Sequence, residues 1–324
     1  MKRKIQEIGG SFLISIPKNW AKLHKLAKGA DLEIEPNEKG QLVVAPIIEK
    51  AALRKVRKSL KYSPHMGTEL FRAYFSGASE IEITSENPFT PDQRAEIKEF
   101  ADSILSVEIV EEDVRKVLLQ NYGYELMPID QSLKRLFQLS YSMLNDVMKE
   151  KITKQLLHSL SERERTVDKF YFMIVTHVNR LAVLGAYDKE ISYAKALHYR
   201  IAAARVEMIS DKIVEMSELF YNSPQDIKSE MVPILEEVSR KVLEFYKSSF
   251  DVFLSGEYRS SGELWNRMDD LLAEIDVCLE GTTARCCSGR KSKAERRTYC
   301  SMRKILNNLK DILRFAKDIA DLAI

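Results

Sequence analysis

The sequence predicts a multidomain, mainly α-helical protein, and three observations carry that prediction. Only 12 Gly and 9 Pro occur in 324 residues, too few for the turns of a many-stranded sandwich. Short alternating apolar patterns are confined to the first 120 or so positions. From about residue 130 the apolar residues follow the period of long amphipathic helices. The 45% apolar and 30% charged composition belongs to a folding chain, and the length suits two or three domains. No apolar run approaches the ~18 residues of a membrane span. The longest lie near residues 12–16 and 181–186. The chain opens Met-Lys-Arg-Lys and enters a strand-like pattern at once, unlike a signal peptide. A cytoplasmic protein without membrane insertion is expected.

Residues 1–47 form the first segment. Lys4-Ile5-Gln6-Glu7-Ile8 alternates, Gly9-Gly10 marks a turn, and residues 11–16 read as a second strand. Pro17 suits the first turn of a short helix because its missing N–H would have no partner there. Trp20, Leu23 and His24 line one face of that helix, and Gly29 is placed to end it. Residues 31–35 and 41–45 alternate around Asn37-Glu38-Lys39-Gly40, a hairpin signal. Fewer than 50 residues in short strands make a poor core alone, so a dimer that completes the sheet is the physical expectation. Residues 48–61, with Lys50, Arg54, Lys55, Arg57 and Lys58, read as a helical basic linker, either solvated or running along a polyanion.

Residues 62–122 read as a small α+β module. A helix near 67–76 precedes a strand at 80–84. Thr90-Pro91-Asp92-Gln93 combines an N-cap, a first-turn proline and a capping-box glutamine, a helix start. Strands at 107–111 and 115–120 follow. No catalytic constellation is visible, and a spacer or dimer-organising role is expected.

Residues 123–324 read as about six helices, with breaks near 185–188, 222–225, 255–261 and 281–290. Met231, Leu235, Val238, Val242, Phe245, Ser249 and Val252 repeat at alternating spacings of four and three. Ile305, Leu309, Ile312, Ala316, Ile319 and Ala323 do the same, and both stripes are bundle cores. Three helices fall on each side of Pro224, predicting two three-helix bundles over about 123–223 and 224–324.

The formal charge of +2 conceals a polarity. Residues 1–61 carry a net +8 and residues 281–304 a net +7, leaving −13 on the rest. Local fields of this kind decide which polyanions approach. For the second island, nucleic-acid contact and a solvated inter-helix loop both remain open. Cys278, Cys286, Cys287 and Cys300 have no CxxC spacing, so free thiols are expected rather than a disulfide framework or common zinc set.

Four-residue spacing puts side chains one turn apart on one helix face. Glu164 and Asp168 are so placed, and Glu207, Asp211 and Glu215 stack a second stripe with Glu218 beside it. Adjacent carboxylates repel. Such stripes therefore face water, pair with Lys or Arg, or bind a hard cation through oxygen. No histidine falls within either motif, and no nucleophile–base pair or phosphate-cradling loop accompanies them, so an enzyme is not expected.

Three motif sets carry resemblances. Arg3-Lys4-Ile5-Gln6-Glu7-Ile8-Gly9-Gly10-Ser11, Ile16-Pro17-Lys18-Asn19-Trp20, Leu26-Ala27-Lys28-Gly29-Ala30-Asp31 and Val43-Val44-Ala45-Pro46 resemble the AbrB/SpoVT/MazE swapped-hairpin family. That resemblance implies interleaved hairpins from two chains, a homodimer through the N-terminal domain, and DNA contacts by Lys2, Arg3, Lys4, Lys18, Lys22 and Lys25. Glu164 and Asp168, Glu207-Met208-Ile209-Ser210-Asp211 and Glu215-Met216-Ser217-Glu218 resemble the PhoU family of phosphate-uptake regulators. That one implies a divalent metal (Mg, Mn, Fe or Ca) on the first repeat, held by Glu164, Asp168, Glu207, Asp211 and Glu215. The second repeat departs from the pattern, with Asn266, Lys310 and Arg314 where acids are wanted. The order of segments resembles the archaeal AbrB–PhoU fusion regulators. It implies an N-terminal swapped-hairpin β domain, a small α+β middle module and a PhoU-like pair of three-helix bundles. The implied function is a DNA-binding transcriptional regulator of phosphate uptake, with phosphate transporter or sensor components as further partners. The alternative is a signalling adaptor that docks on such a transporter or sensor without specific DNA binding.

Overall fold

The computed structural model describes residues 3–36, 40–46, 56–122, 127–149, 151–184, 191–223, 225–257, 261–287 and 292–323. The chain divides into two compact units, Met1–Lys55 and Val56–Ile324. It is mainly helical with a small proportion of sheet.

In the first unit, β1 (Gln6–Ile8) and β2 (Ser11–Leu13) pair antiparallel across a two-residue turn. Both turn residues need positive φ, and Gly9 (61°) and Gly10 (81°) supply it without the Cβ penalty. Helix α1 (Lys18–Leu23) follows Pro17, and β3 (Leu32–Pro36) pairs antiparallel with β4 (Leu42–Pro46). Two expectations are corrected. The second strand stops at Leu13 rather than reaching Ile16, and the helix stops well before Gly29. The helix ends because Lys25 takes the left-handed conformation (φ 54°). Its N–H donates to the Lys22 carbonyl, and the Leu26 N–H reaches back to Ala21 at 2.8 Å. This is the Schellman termination, with lysine where glycine is usual.

In the second unit a four-stranded sheet has the order β5-β6-β8-β7. Its strands are β5 (Arg57–Lys61), β6 (Glu80–Thr84), β7 (Val107–Glu112) and β8 (Lys116–Asn121). Strand β5 runs parallel to β6, and the other pairings are antiparallel. Residues 57–61, expected within a helical basic linker, are therefore an edge strand; residues 48–55 of that linker lie outside the described residues. Five residues rich in Lys and Arg carry no strong strand signal of their own. Pairing with β6 and an ion pair from Arg57 to Glu82 place them, and their charges protect the open edge.

Helices α2 (Met66–Phe75) and α3 (Pro91–Ser103) cover one face of the sheet. Thr90 and Gln93 form the capping box that their spacing predicts, with bonds of 3.3 and 2.9 Å. Met66, Leu70, Tyr74, Ile81, Ile83, Ile97 and Leu119 make the module's core.

Among the described residues six further helices follow: α4 (Ile129–Lys149), α5 (Lys154–Leu184), α6 (Tyr193–Tyr221), α7 (Gln225–Ser255), α8 (Ser261–Cys287) and α9 (Lys293–Ala320). Helix α8 continues through Gly281, where a break was expected, to Cys287. The described members of both predicted stripes, Leu235 to Val252 and Ile305 to Ala323, are buried. The two sets of three helices do not keep separate interiors, because one continuous apolar cluster runs through all six. Phe137 of α4 stacks on Phe250 of α7 at 3.9 Å, and Tyr246 lies 3.2 Å from the Ser140 hydroxyl. Helices α6 and α9 are clasped by Arg205–Asp318 (2.9 Å) and by the His198 ring nitrogen donating to the Leu322 carbonyl (2.9 Å).

The α+β module is anchored on this bundle rather than acting as a free spacer. Phe172 of α5 packs against Phe71 and Phe75 of α2 at 5.4 and 5.7 Å. The Asn179 amide donates to the Phe75 carbonyl at 2.9 Å.

Candidate nucleic-acid interface and acidic cluster

The first unit has two properties that a self-sufficient domain lacks. Among its described residues none belongs to a buried apolar cluster, and α1 has no buried residue. Among the described residues, eight of the eighteen exposed large apolar side chains fall in it, among them Phe12 (76%), Leu23 (71%) and Leu42 (70%). Burying an apolar side chain of this size is worth about 1.5–3 kcal/mol. Exposed apolar area of this extent on a small unit has the character of an interaction surface.

Arg3, Lys4, Lys18, Lys22 and Lys25 are all exposed, and among the described residues none forms an ion pair. Lys2 lies outside the described residues. The charges are carried by the β1 approach and by α1 with its terminus, two separate stretches of the chain. Arg3 is the sole arginine before position 54, so bidentate base readout has one candidate among the described residues of this unit.

Lys25 is held in a conformation that costs an L-residue roughly 1–2 kcal/mol. Replacing it with glycine removes that strain and one cation together. Lys25→Gly is therefore expected to stabilise the first unit by about 1 kcal/mol in thermal or urea unfolding while weakening duplex binding.

The second constellation lies on α5 and α6. Glu164, Asp168, Glu207 and Asp211 lie within electrostatic reach of one another, since the charge of Asp211 acts on each of the other three. Burial, then the charges of Glu164, Glu207 and Asp211, push Asp168 up to about 7. Burial, then Asp211 and Glu164, push Glu207 up to about 7 as well. Glu164 is raised by burial and by Asp211, and its hydrogen bond with Asp168 partly offsets this. Asp211, at the rim, is raised by partial burial and drawn back by Lys212. None of the four forms a salt bridge among the described residues.

Glu215 does not join them. Its carboxylate pairs with Lys212 at 3.2 Å, three residues away on the same helix. Tyr171, overlooked in the sequence, borders the group. Its phenol is raised by burial and then by Glu207, with Arg200 opposing, and its spacing of three from Asp168 marks the same helix face.

The donor set is all oxygen, which suits a hard divalent cation. Among the described residues, however, no three His, Cys, Asp or Glu side chains are gathered closely enough to hold a metal ion as they stand. Three acids towards the C-terminal end of α9 are neutralised otherwise. Asp311 meets Arg314 at 3.2 Å, Asp318 meets Arg205, and Asp321 meets Lys317 at 2.7 Å.

No described helix is long and apolar enough to cross a membrane. No protein-family model, curated protein or solved structure matches the chain.

Proposed function

We propose that this protein is a homodimeric, non-enzymatic DNA-binding regulator of phosphate uptake or phosphate signalling, working in the cytoplasm. The observation that carries the proposal is the pairing, in one coreless unit, of uncovered apolar residues with five exposed, unpaired cations. A second copy of the same unit covers the apolar side and doubles the cationic one. Two linked basic surfaces then grip the sugar-phosphate backbone, and Arg3 supplies what base-edge reading there is. The phosphate connection rests on the order of modules and on the acidic motifs of α5 and α6, whose resemblance is to phosphate-uptake regulators.

Four raised carboxyls in mutual repulsion relax when a cation or protons neutralise them, so the bundle has an input. Glu164, Asp168, Glu207 and Asp211 would hold a divalent cation, which would supply charge neutralisation there. An effector acts on DNA binding only to the extent that it favours one arrangement of the chain over another.

The test has two arms. The full-length protein is expected to sediment as a dimer, and Phe12→Asp to run as a monomer that has lost most duplex affinity. Genome-wide capture of bound DNA is expected to enrich the promoters of phosphate-transport genes, with occupancy that changes on phosphate limitation. A wild-type monomer, or capture without enrichment, refutes the proposal. A dimer that docks on a transporter or sensor but retains no DNA is the signature of a signalling adaptor.

A further inference from the structure

The two halves of α9 treat their cations differently. In the C-terminal half every described lysine and arginine has a carboxylate. Lys310 meets Asp276 at 2.6 Å, Arg314 meets Asp311 at 3.2 Å and Lys317 meets Asp321 at 2.7 Å. In the N-terminal half Arg296, Arg297, Arg303 and Lys304 are all exposed, and among the described residues none forms an ion pair. Spacings of seven place Arg303 in line with Arg296 and Lys304 in line with Arg297, two rows that share one side of the helix.

Cations at a helix N-terminus oppose the macrodipole and lower helix stability. Here the Ser292–Glu295 capping box restrains the end, and the charges remain uncompensated. Folding by itself gives no reason to collect them there.

We infer that the N-terminal half of α9 is a second phosphate-contacting surface, whose partner is the sugar-phosphate backbone of a nucleic-acid duplex. The length fits. Residues 296 to 304 span about 12 Å at 1.5 Å per residue. That is the axial length of about three to four phosphates of one strand. The residue choice fits as well, since three of the four are arginines, which present a fork to phosphate oxygens. Other anionic partners suit it less. The apolar neighbours Tyr299 and Met302 are buried in the bundle, and no exposed large apolar side chain lies on α9. A lipid surface would lack an inserting group and a protein partner an apolar anchor.

The duplex as occupant rests on the DNA-binding proposal, so the experiment separates the two. Full-length wild type, a head variant (Arg3→Gln, Lys4→Gln, Lys22→Gln) and an α9 variant (Arg296→Gln, Arg297→Gln, Arg303→Gln, Lys304→Gln) are titrated with a mixed-sequence duplex of about 40 bp. The salt range runs from ~0.05 to ~0.2 M. The α9 variant is expected to flatten the slope of log K against log salt by about 3–4, and exchanging Lys304 for Arg is expected to preserve it. An unchanged slope in the α9 variant, with loss in the head variant, overturns this inference and leaves the DNA-binding head intact. Loss in the α9 variant alone supports the inference and refutes the head. Tighter retention on phosphatidylglycerol vesicles than on duplex overturns it in favour of a lipid surface.

Discussion

Replacing Arg3, Lys4 and Lys22 with glutamine in the full-length protein is expected to weaken duplex binding by about 100-fold or more near 0.15 M salt. It should also flatten the slope of log K against log salt by about 2.7. The argument is counterion release: each phosphate neutralised by a cation frees condensed salt, at about 0.9 of a slope unit per contact. The three residues are exposed and free of ion pairs, so their loss leaves no carboxylate stranded and should leave the unfolding transition unchanged. Separating Arg3 from Lys4 and Lys22 sharpens the result. A loss from Arg3→Gln that depends on duplex sequence marks base contact, whereas a uniform loss marks phosphate contact. Fluorescence anisotropy across a salt series measures both quantities. An unaltered slope would remove the head from DNA recognition.

The second large effect is a reversal of the usual response of a carboxylate to pH. Asp168 and Glu207 titrate near 3.8 and 4.5 in the absence of neighbours and at about 7 in the folded protein. Below about pH 4 both states hold the proton, and the cluster carries no penalty. As pH rises from about 4 to 7 the unfolded chain releases its protons first, so the folded state binds more and stability falls. Above about 7 the full penalty applies. Asp168→Asn with Glu207→Gln should remove it, stabilising the protein at pH 8 and leaving it unchanged at pH 4. Both groups are only half-buried, so water screens the repulsion, and a gain of about 1–2 kcal/mol is expected. Millimolar Mg²⁺ or Mn²⁺ at pH 8 should raise the melting temperature of the wild type and not of the double variant. Thermal unfolding at pH 4, 6 and 8 with and without cation reads all of this. Equal stability of the two proteins at pH 8 would show that the carboxylates are not in conflict. A wild type indifferent to both cations would refute the metal site alone.

Local order set what the amino-acid sequence determined by itself. The Gly9-Gly10 turn, the Thr90–Gln93 capping box, the strands at 80–84, 107–112 and 116–121 and the two four-three stripes are each specified by residues within a turn or two of one another. The grouping of Glu164 with Asp168 and of Glu207 with Asp211 was legible for the same reason, since helical spacing alone puts them on shared faces. Tertiary structure decided what depends on neighbours distant along the chain. Arg57–Lys61 becomes a strand only because β6 accepts it, and the two helical repeats share an interior because α4 meets α7 and α6 meets α9. Asp318, Asp311 and Asp321 are neutralised by Arg205, Arg314 and Lys317. Spacing shows which side chains share a face, whereas burial and ion pairing depend on what the fold places opposite that face. Desolvation and Coulomb energies follow from those long-range contacts, and they separate the acidic stripe left in tension from the one that is neutralised.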